Sequence, residues 1–302
     1  MDALTIAQEL LTKHQGNKAA AAREMGVARE TFRGYLDQAT RQKLQTIVTK
    51  HCKPPKAITH CVIPDTQIKP GVPLEHLRWA GQYIAEKRPD VIIQIGDFAD
   101  MESLSSYDRG KASAENKRYK ADIEAAHKGM EMLMEPIVKA EGYKPRLVLT
   151  LGNHEDRITR YADDNAALSG FVSLDDLGYE AWGWEVIPFK KPIEIGGITY
   201  AHYFYNHNTG KPLAGANLQT RLQTIGFSFT QGHQQGLQTA VRDLSNGTRQ
   251  RGLVCGSFYQ HNEAYRGPQA CEWRGIVFKH EVHEGNYDLL EVSMNYLRRR
   301  YG

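Results

Sequence analysis

The chain has 302 residues, of which 41% are hydrophobic and 24% charged, and its net charge is +3. These values are typical of a globular protein with one large domain and a small appendage, and no apolar run approaches the ~20 residues that span a bilayer. The four cysteines form no C-x-x-C pair, which argues against a disulfide framework or a structural zinc site. The N-terminus lacks the uninterrupted apolar core of a signal peptide, so we expect a cytoplasmic protein.

Three helices are predicted at the N-terminal end. Apolar positions at helical spacing mark a helix over residues 3–14, and Asn17 can cap a second helix over Lys18–Met25. Gly26 then allows a sharp turn into a third helix over Ala28–Leu36. Residues 1–60 contain ten Lys or Arg and five Asp or Glu and so carry +5, which leaves the rest of the chain nearly neutral.

The string NKAAAAREMGVARETFRGYL resembles the helix-turn-helix at the C-terminal end of factor-for-inversion-stimulation-type DNA-binding proteins. This resemblance implies that residues 1–40 form an all-α DNA-binding domain. It also implies that DNA bases and phosphates contact the exposed face of the third helix through Arg29, Glu30, Thr31 and Arg33. The alternative is a helical docking or oligomerisation module with a solvated basic face.

A linker is predicted over residues 41–57. This segment is polar and basic and ends in Lys53-Pro54-Pro55-Lys56, and adjacent prolines cannot continue a helix.

Residues 58–302 form the predicted large domain, which begins with alternating strands and helices. The pattern predicts strands over 58–64, 91–96 and 146–151, and helices over 74–87, about 113–140 and 154–178. This alternation favours right-handed βαβ crossovers. Short strands follow at 185–188, 193–196 and 198–202. Asn246-Gly247 then indicates a hairpin between residues 239–244 and 250–255, and Gly285-Asn286 suggests another.

Five strand-like runs end on side chains that can bind a metal. The stretch Leu147–Asp156 (LVLTLGNHED) stops abruptly in Gly-Asn-His-Glu, which alone is a weak signal. Open α/β sheets place their ligands at the carboxyl ends of strands, so we expect these five ends to form a site. The other four ends are Asp65-Thr66-Gln67, Gly96-Asp97-Phe98-Ala99-Asp100, His202 and Gly232-His233-Gln234-Gln235.

The order of these five blocks resembles the calcineurin-like metallophosphoesterases, over roughly residues 58–260. This resemblance implies an α/β fold, specifically a two-sheet αββα sandwich with one sheet from each half of the domain. It also implies two divalent cations that share a hydroxide and grip the phosphate. Gln67 and Gln235 depart from the family, which usually has His in the first and last blocks.

The resemblance also assigns the metal ligands. One cation would be held by Asp97, Asn153, His202 and His233, and the other by Asp65, Gln67, Gln235 and the bridging Asp97. Amide oxygens are harder and weaker donors than imidazoles and suit Mn²⁺ or Mg²⁺. We therefore expect one tight and one looser site, and Mn²⁺ as the cofactor, with Mg²⁺, Fe²⁺ or Zn²⁺ as alternatives. A water could replace either glutamine.

His154 has a different role by the same resemblance. In the family this His is not a ligand but lies beside the scissile phosphate, where an imidazole can protonate the leaving oxygen or stabilise charge. Asp100 is its expected orienting carboxylate, and Arg157 is expected to reach a phosphate. The loop after a metal strand contributes the expected substrate contacts His207 and Lys211.

Together these features predict a metal-dependent phosphodiesterase that acts on DNA and is delivered by its helix-turn-helix. One alternative is a phosphomonoesterase or small-nucleotide phosphodiesterase whose N-terminal domain only docks. Another is a DNA-binding regulator whose metal centre is inactive because Gln67 and Gln235 weaken one site. A compact enzyme joined to a DNA-binding module would suit a phage or mobile element. We expect no membrane partner, and the oligomeric state is open, with a homodimer as one alternative.

Overall fold

The structure is a computed structural model that describes residues 2–51, 58–106, 110–112, 115–168, 170–206, 208–213, 215, 217–262 and 272–302, with only the backbone described for 41–51. These residues include eight α-helices: α1 (Ala3–Lys13), α2 (Lys18–Met25), α3 (Arg29–His51), α4 (Glu75–Lys87), α5 (Tyr119–Lys139), α6 (Asp156–Asp164), α7 (Leu218–Ile225) and α8 (Met294–Tyr301). They also include strands β1 (Ile58–Ile63), β2 (Val91–Gln94), β3 (Arg146–Thr150), β4 (Glu185–Ile187), β5 (Ile193–Ile195), β6 (Ile198–Ala201), β7 (Phe229–Gln231), β8 (Leu237–Asp243), β9 (Arg249–Cys255), β10 (Gly275–His283) and β11 (Asn286–Ser293).

The chain divides into two compact units, Met1–Lys56 and Ala57–Gly302. In the first unit, Asp2 and Asn17 cap α1 and α2 by accepting hydrogen bonds from backbone N–H groups of the first turn. Gly26 ends α2 with a φ of 71°, a left-handed conformation that glycine adopts without strain. The three helices enclose a small core whose fully or nearly fully buried members are Ala7, Ala21, Ala22 and Phe32.

The third helix is longer than the sequence pattern predicts. It continues to His51, beyond the predicted end at Leu36, because residues 37–51 contain neither Gly nor Pro and include several good helix formers, among them Gln and Lys. Helix α3 therefore extends into the predicted linker 41–57, as far as His51. The remaining residues 52–57, including the two prolines, lie outside the described residues.

The second unit contains two mixed sheets, which confirms the predicted α/β class. The first sheet has the strand order β11-β10-β1-β2-β3-β4, and the second has the order β5-β6-β7-β9-β8. Strands β1, β2 and β3 are parallel and are joined by α4 and α5, as the alternating pattern predicts. The turn at Asn246-Gly247 joins the antiparallel strands β8 and β9.

The expectation of one sheet from each half of the domain is wrong. The C-terminal strands β10 and β11 return to the first sheet, where β10 pairs with β1. The reason lies in the composition of β10, whose Ile276 and Phe278 face one apolar core while Val277 faces another. A strand with two apolar faces must be covered on both sides, which its position between β11 and β1, inside the layered unit, provides.

Three apolar cores set the order of layers. One core lies between the two sheets and includes Val62, Ile93, Tyr200, Leu253 and Val277. A second core packs α4, α5 and α8 on the outer face of the first sheet, and a third packs α7 on the second sheet. The resulting order is helix, sheet, sheet, helix.

The helix predicted over 154–178 is shorter than expected. Helix α6 ends at Asp164, and only short 3₁₀ turns follow, at Ala166–Leu168 and Leu174–Leu177. Gly170, with a φ of 86°, breaks the helical path between them. No helix in the described ranges is both long enough and apolar enough to cross a membrane.

Candidate metal centre

The loops that follow five strands converge at one end of the two sheets. Asp65, Asp97 and Asn153 follow the parallel strands β1, β2 and β3, whereas His202 and His233 follow β6 and β7 of the other sheet. The structure brings these five residues together through direct contacts between the loops. The site therefore lies where the carboxyl ends of these strands, from both sheets, meet.

Asp97, His202 and His233 form the tightest cluster. Their potential ligand atoms all lie within 4.8 Å of one another. His202 Nε2 lies 3.2 Å from Asp97 Oδ2 and 3.1 Å from Asn153 Oδ1. One carboxylate oxygen, one amide oxygen and imidazole nitrogens thus surround a common point, which is a donor set that divalent transition metals accept.

A backbone carbonyl fixes the orientation of the His202 ring. Its Nδ1 lies 3.0 Å from the carbonyl oxygen of Ile95, to which it can donate a hydrogen bond. This tautomer leaves the Nε2 lone pair for the cluster. Metal-binding histidines commonly have such a partner on the second ring nitrogen.

Three glycines leave space for these side chains. A Cβ atom at Gly152 would lie 2.1 Å from Asp97 Oδ1, and one at Gly96 would lie 2.6 Å from His202 Nδ1. At Gly232 it would lie 2.4 Å from Asp65 Oδ1. Because real Cβ atoms do not approach so closely, each glycine in the Gly-Asp, Gly-Asn-His and Gly-His blocks is required by the packing around a candidate ligand.

The backbone of the centre is strained. Asp97 and His233 have φ values of 52° and 69°, and Gln67 and Gln235 have values of 42° and 56°. Residues other than glycine rarely adopt positive φ, because this backbone conformation costs about 1–3 kcal/mol for each such residue. Such strain concentrates at functional sites, where surrounding contacts hold the conformation.

The expected second position contains Asp65, Gln67 and Gln235, all of which are buried. Both Asp65 carboxylate oxygens accept a hydrogen bond from the His233 backbone N–H, at 3.0 and 3.1 Å. Gln67 Oε1 has no hydrogen-bond donor among the described residues, so a buried oxygen is left for a cation. Gln235 Oε1 instead accepts a hydrogen bond of 2.6 Å from the Tyr259 hydroxyl.

His154 and Asp100 form the expected pair. His154 Nδ1 lies 2.7 Å from Asp100 Oδ1, and His154 Nε2 lies 3.7 Å from Asp97 Oδ2. Arg157 contacts both partners, because one guanidinium nitrogen donates to Asp100 Oδ1 at 3.2 Å and another lies 3.3 Å from His154 Nε2. The structure thus places Arg157 beside the imidazole.

The ionisable groups of the centre shift one another's pKa values. Burial opposes ionisation of Asp97, but His154 and His202 outweigh it and hold the pKa of Asp97 below its usual range. Burial likewise opposes protonation of His202, yet Asp97 raises the pKa of His202 to about 9. Burial and the charge of Asp97 raise the pKa of Asp65 to about 7. The buried carboxylates therefore attract positive charge.

Glu155 holds the loops of the centre together. Its fully buried carboxylate accepts hydrogen bonds from the backbone N–H groups of Gly152, Asp97 and Ala99, at 2.8, 3.1 and 3.0 Å. Glu155 thereby fixes the loop after β2 against the loop after β3. The sequence places it directly after His154 but does not show that it binds backbone groups of both loops.

The other residues singled out by the sequence lie at varied positions. Lys211 is exposed in the loop after β6, and His207 lies outside the described residues. Near the start of α3, Phe32 is buried, whereas the candidate DNA contacts are all exposed: Arg29, Glu30, Thr31 and Arg33.

Three residues near the centre are not apparent from the sequence. Lys69 lies with its Nζ 3.3 Å from Asp100 Oδ2, and its place two residues after Gln67 is the only signal for it. Tyr259 contacts Gln235, and Glu272 contacts Tyr259, from a later part of the chain. No spacing rule links them to the five blocks.

The comparisons with known proteins give little similarity. No family model matches the chain. "Gene 54 protein" of Mycobacterium phage L5 is 29% identical over 147 residues, which cover 47% of this chain and 55% of the phage protein. The chain thus matches only about half the length of this relative. A crystal structure aligns with 78% of this chain and 100% of its own chain, at 12% identity and a TM-score of 0.38.

Proposed function

We propose that the chain is a metal-dependent phosphodiesterase of the calcineurin-like metallophosphoesterase type that acts on DNA. The observation that carries this proposal is the convergence of Asp97, His202 and His233 with the His154–Asp100 pair at the strand ends. The helix, sheet, sheet, helix order of layers is that expected for this type of enzyme. A metal site without chemistry would not need an imidazole held beside it by a carboxylate.

The residues present fit divalent cations. Asp97, Asn153, His202 and His233 would hold one cation, and Asp65, Gln67 and Asp97 would contribute to a second, with Gln235 as a further candidate. Mn²⁺ suits this mixture of imidazole, carboxylate and amide donors. When bound, such cations lower the pKa of water and neutralise charge on phosphate oxygens.

The chain's own groups would handle the leaving oxygen. With Nδ1 bonded to Asp100, His154 presents Nε2 toward the side of the centre occupied by Asp97. Burial opposes protonation of His154, but Asp97 and Asp100 outweigh it and raise its pKa, which favours a proton on this ring. That proton can pass from Nε2 to the departing alkoxide. Arg157, beside the same nitrogen, can stabilise negative charge on the substrate.

DNA is the proposed substrate because of the N-terminal unit. Arg29, Thr31 and Arg33 are exposed at the start of α3, and Arg29 and Arg33, at helical spacing i, i+4, share one face. The turn that precedes this helix contains Gly26. Arginine side chains on such a face can contact phosphates and guanine edges. The similarity to a phage protein is compatible with a phage enzyme, and a DNA substrate would place it in the cytoplasm.

Cleavage assays test the enzymatic part. Wild-type protein with Mn²⁺ is incubated with linear, circular and single-stranded DNA and, separately, with an aryl phosphodiester and an aryl phosphomonoester. We expect DNA and diester cleavage that Asp97→Asn abolishes, since Asp97 is the shared anionic ligand. Asp243→Asn, which changes an exposed carboxylate on β8, is the matched control. Hydrolysis of the monoester alone would replace this proposal with a phosphomonoesterase.

Gel shifts test the DNA-binding part in the full chain with the metal chelated. Arg29→Ala combined with Arg33→Ala should weaken DNA binding and reduce its dependence on salt, because fewer counterions are released. Lys120→Ala with Lys128→Ala removes two exposed charges on α5 and serves as the control. Equal affinities and salt slopes for all three proteins would remove DNA binding by α3.

A further inference from the structure

A cleft of about 290 Å³ lies beside the candidate metal centre. One of its walls is a face of helix α6, and another is the segment 102–106, which follows the Asp97–Asp100 block. Both walls continue blocks of the centre along the chain, because α6 begins directly after Asn153-His154-Glu155. We call this space the α6 cleft. The α6 residues that line it are Arg157, Arg160, Tyr161 and Asp164.

These four α6 residues share one face of the helix. Their spacing is i, i+3, i+4 and i+7, which brings side chains to the same side of an α-helix. Ile158, on a different face, is fully buried in the apolar core. On the cleft side, the Arg160 side chain is 55% exposed and Tyr161 is half-buried. The helix thus packs through its apolar face and leaves a polar and aromatic face along the cleft.

Arg157 connects the cleft to the proposed chemistry. One of its guanidinium nitrogens lies 3.3 Å from His154 Nε2, and the other donates to the Asp100 carbonyl oxygen at 2.8 Å. In the proposed reaction, hydroxide adds to phosphorus, the bond from phosphorus to the leaving oxygen breaks, and that oxygen takes the proton of Nε2. The leaving oxygen must therefore lie within hydrogen-bond reach of Nε2, next to Arg157. The group bonded to that oxygen then has the α6 cleft directly beside it.

The charges along the cleft suit a nucleotide. Arg157 and Arg160 lie at the end of α6 nearest the centre, whereas Asp164 lies about 10 Å farther along the helix axis than Arg157. The Glu102 carboxylate, on the opposite wall, pairs with Lys117 at 3.2 Å. Positive charge therefore prevails next to the centre, and arginine side chains are common contacts of nucleic-acid phosphates.

The size of the cleft restricts what it can hold. Its volume is at the lower end of the roughly 300–1,000 Å³ that ligand pockets occupy, which fits one nucleoside but not a base pair. Tyr161 supplies an aromatic surface, and bases of any sequence can stack on such a surface. A base that belongs to a duplex would have to leave its pair and its stack to enter.

We propose that the α6 cleft binds the nucleoside that leaves, as one unpaired unit of a DNA strand with its base against Tyr161. The inference rests on the proposed function, because it takes His154 as the proton donor to the leaving oxygen. It narrows the substrate of that function to single-stranded DNA or to the unpaired ends of a duplex.

A single-stranded oligothymidylate with one abasic sugar tests the proposal on the full chain with Mn²⁺. Mass spectrometry of the fragments identifies each cleaved linkage and the side that keeps the phosphate, and so the leaving side. Cleavage should fall about 5- to 150-fold at the linkage whose leaving sugar lacks its base, the scale of one stacked base. Tyr161→Ala should lower cleavage of the unmodified strand by a similar factor. It should have little further effect at the linkage whose leaving base is already missing, because both changes remove the same contact.

Controls separate base contact from support of the fold. Tyr161→Phe keeps the ring and should restore wild-type cleavage, whereas Tyr161→Leu should behave as Tyr161→Ala does. Tyr296→Ala, which removes a partly exposed tyrosine on α8, is the matched control. The same strand, annealed to its complement, should be cleaved at internal linkages at least about tenfold more slowly than the single strand, since unpairing costs a few kcal/mol.

Each other outcome overturns the proposal at a different point. An equal loss with Tyr161→Ala at every linkage, abasic or not, would make Tyr161 a structural residue. A loss that follows the base on the side that keeps the phosphate would assign the cleft to the retained nucleotide. Equal cleavage of single-stranded and paired DNA would exclude an unpaired occupant. These three results leave the proposed function intact, whereas no cleavage of any DNA strand by the wild-type chain would overturn the proposed function and the cleft assignment together.

Discussion

Adding one methyl group at Gly152 should disable the metal centre. The new Cβ would lie 2.1 Å from Asp97 Oδ1 and 2.4 Å from the Asp97 backbone nitrogen. Ordinary contacts begin at 3.4 Å, so Asp97 must move by about 1 Å. It cannot move freely, because its Oδ1 accepts from the His154 N–H at 2.9 Å and its own N–H donates to Glu155 at 3.1 Å.

The size of the effect follows from these contacts. Breaking one hydrogen bond to a charged group costs about 1.5–3 kcal/mol, and Gly152→Ala must strain both or break one. A misplacement of about 1 Å can reduce turnover by about 10²-fold. We therefore expect Mn²⁺ binding weakened by at least tenfold and a stability loss of about 2 kcal/mol. Gly152 has an ordinary φ, so backbone strain does not contribute.

The assay compares Gly152→Ala with Gly34→Ala. At Gly34, which lies in α3, no described atom would come within 4 Å of the new Cβ, and alanine there should be neutral or stabilise the helix by about 0.5–1 kcal/mol. Calorimetric Mn²⁺ titration, thermal unfolding and aryl phosphodiester turnover are measured for both variants. Mn²⁺ affinity of Gly152→Ala within twofold of wild type would refute the assignment of Asp97 as a ligand held against this glycine.

Other changes probe the remaining contacts. His154→Ala should keep Mn²⁺ binding but slow DNA cleavage by ~10²- to 10⁴-fold, with a smaller loss for an aryl diester, and a lost cation would make His154 a ligand instead. Gln67→His with Gln235→His should tighten the second site and extend it to zinc; unchanged calorimetric affinity would show that these glutamines do not face a cation. Burial lowers the pKa of His60 and His76 from 6.5 to about 3, so the unfolded chain binds more protons between these values. As pH drops below 6.5, the free energy of unfolding measured in urea should therefore fall by about 1.4 kcal/mol per pH unit for each of the two histidines. His76→Leu should remove the contribution of His76 to this pH dependence.

The sequence predicts the local parts of this fold well. Apolar runs that end in Gly-Asp or Gly-Asn correspond to β2 and β3, because a buried strand and a tight turn leave a short-range pattern. The turn at Asn246-Gly247 is equally local. The length of α3 is not evident from the sequence, because a polar segment without Gly or Pro has the same composition in a helix as in a linker.

The non-local parts could not be read from the chain. The apolar residues on both faces of β10 require that the strand be covered on both sides, but they do not specify β1, which lies far earlier in the chain, as its partner. The same limit applies to Tyr259 and Glu272. Tyr259 contacts Gln235, and Glu272 contacts Tyr259, because separate loops meet in the fold, and no local pattern in the sequence indicates such contacts.

Because the centre lies where the two sheets meet, a cation bound there would connect one sheet to the other. Asp97 extends from one sheet and His202 from the other, and both Asp97 and His233 hold backbone conformations that an unrestrained loop would leave. A cation bound by residues of both sheets would cross-link the two layers and keep Asp97 and His233 in these backbone conformations. At a concentration 100 times its dissociation constant, a ligand of the folded state adds about 2.7 kcal/mol to stability. Cation binding should therefore slow amide hydrogen exchange in the loops after β2, β6 and β7 to a similar extent, because it would hold the two sheets together at this end.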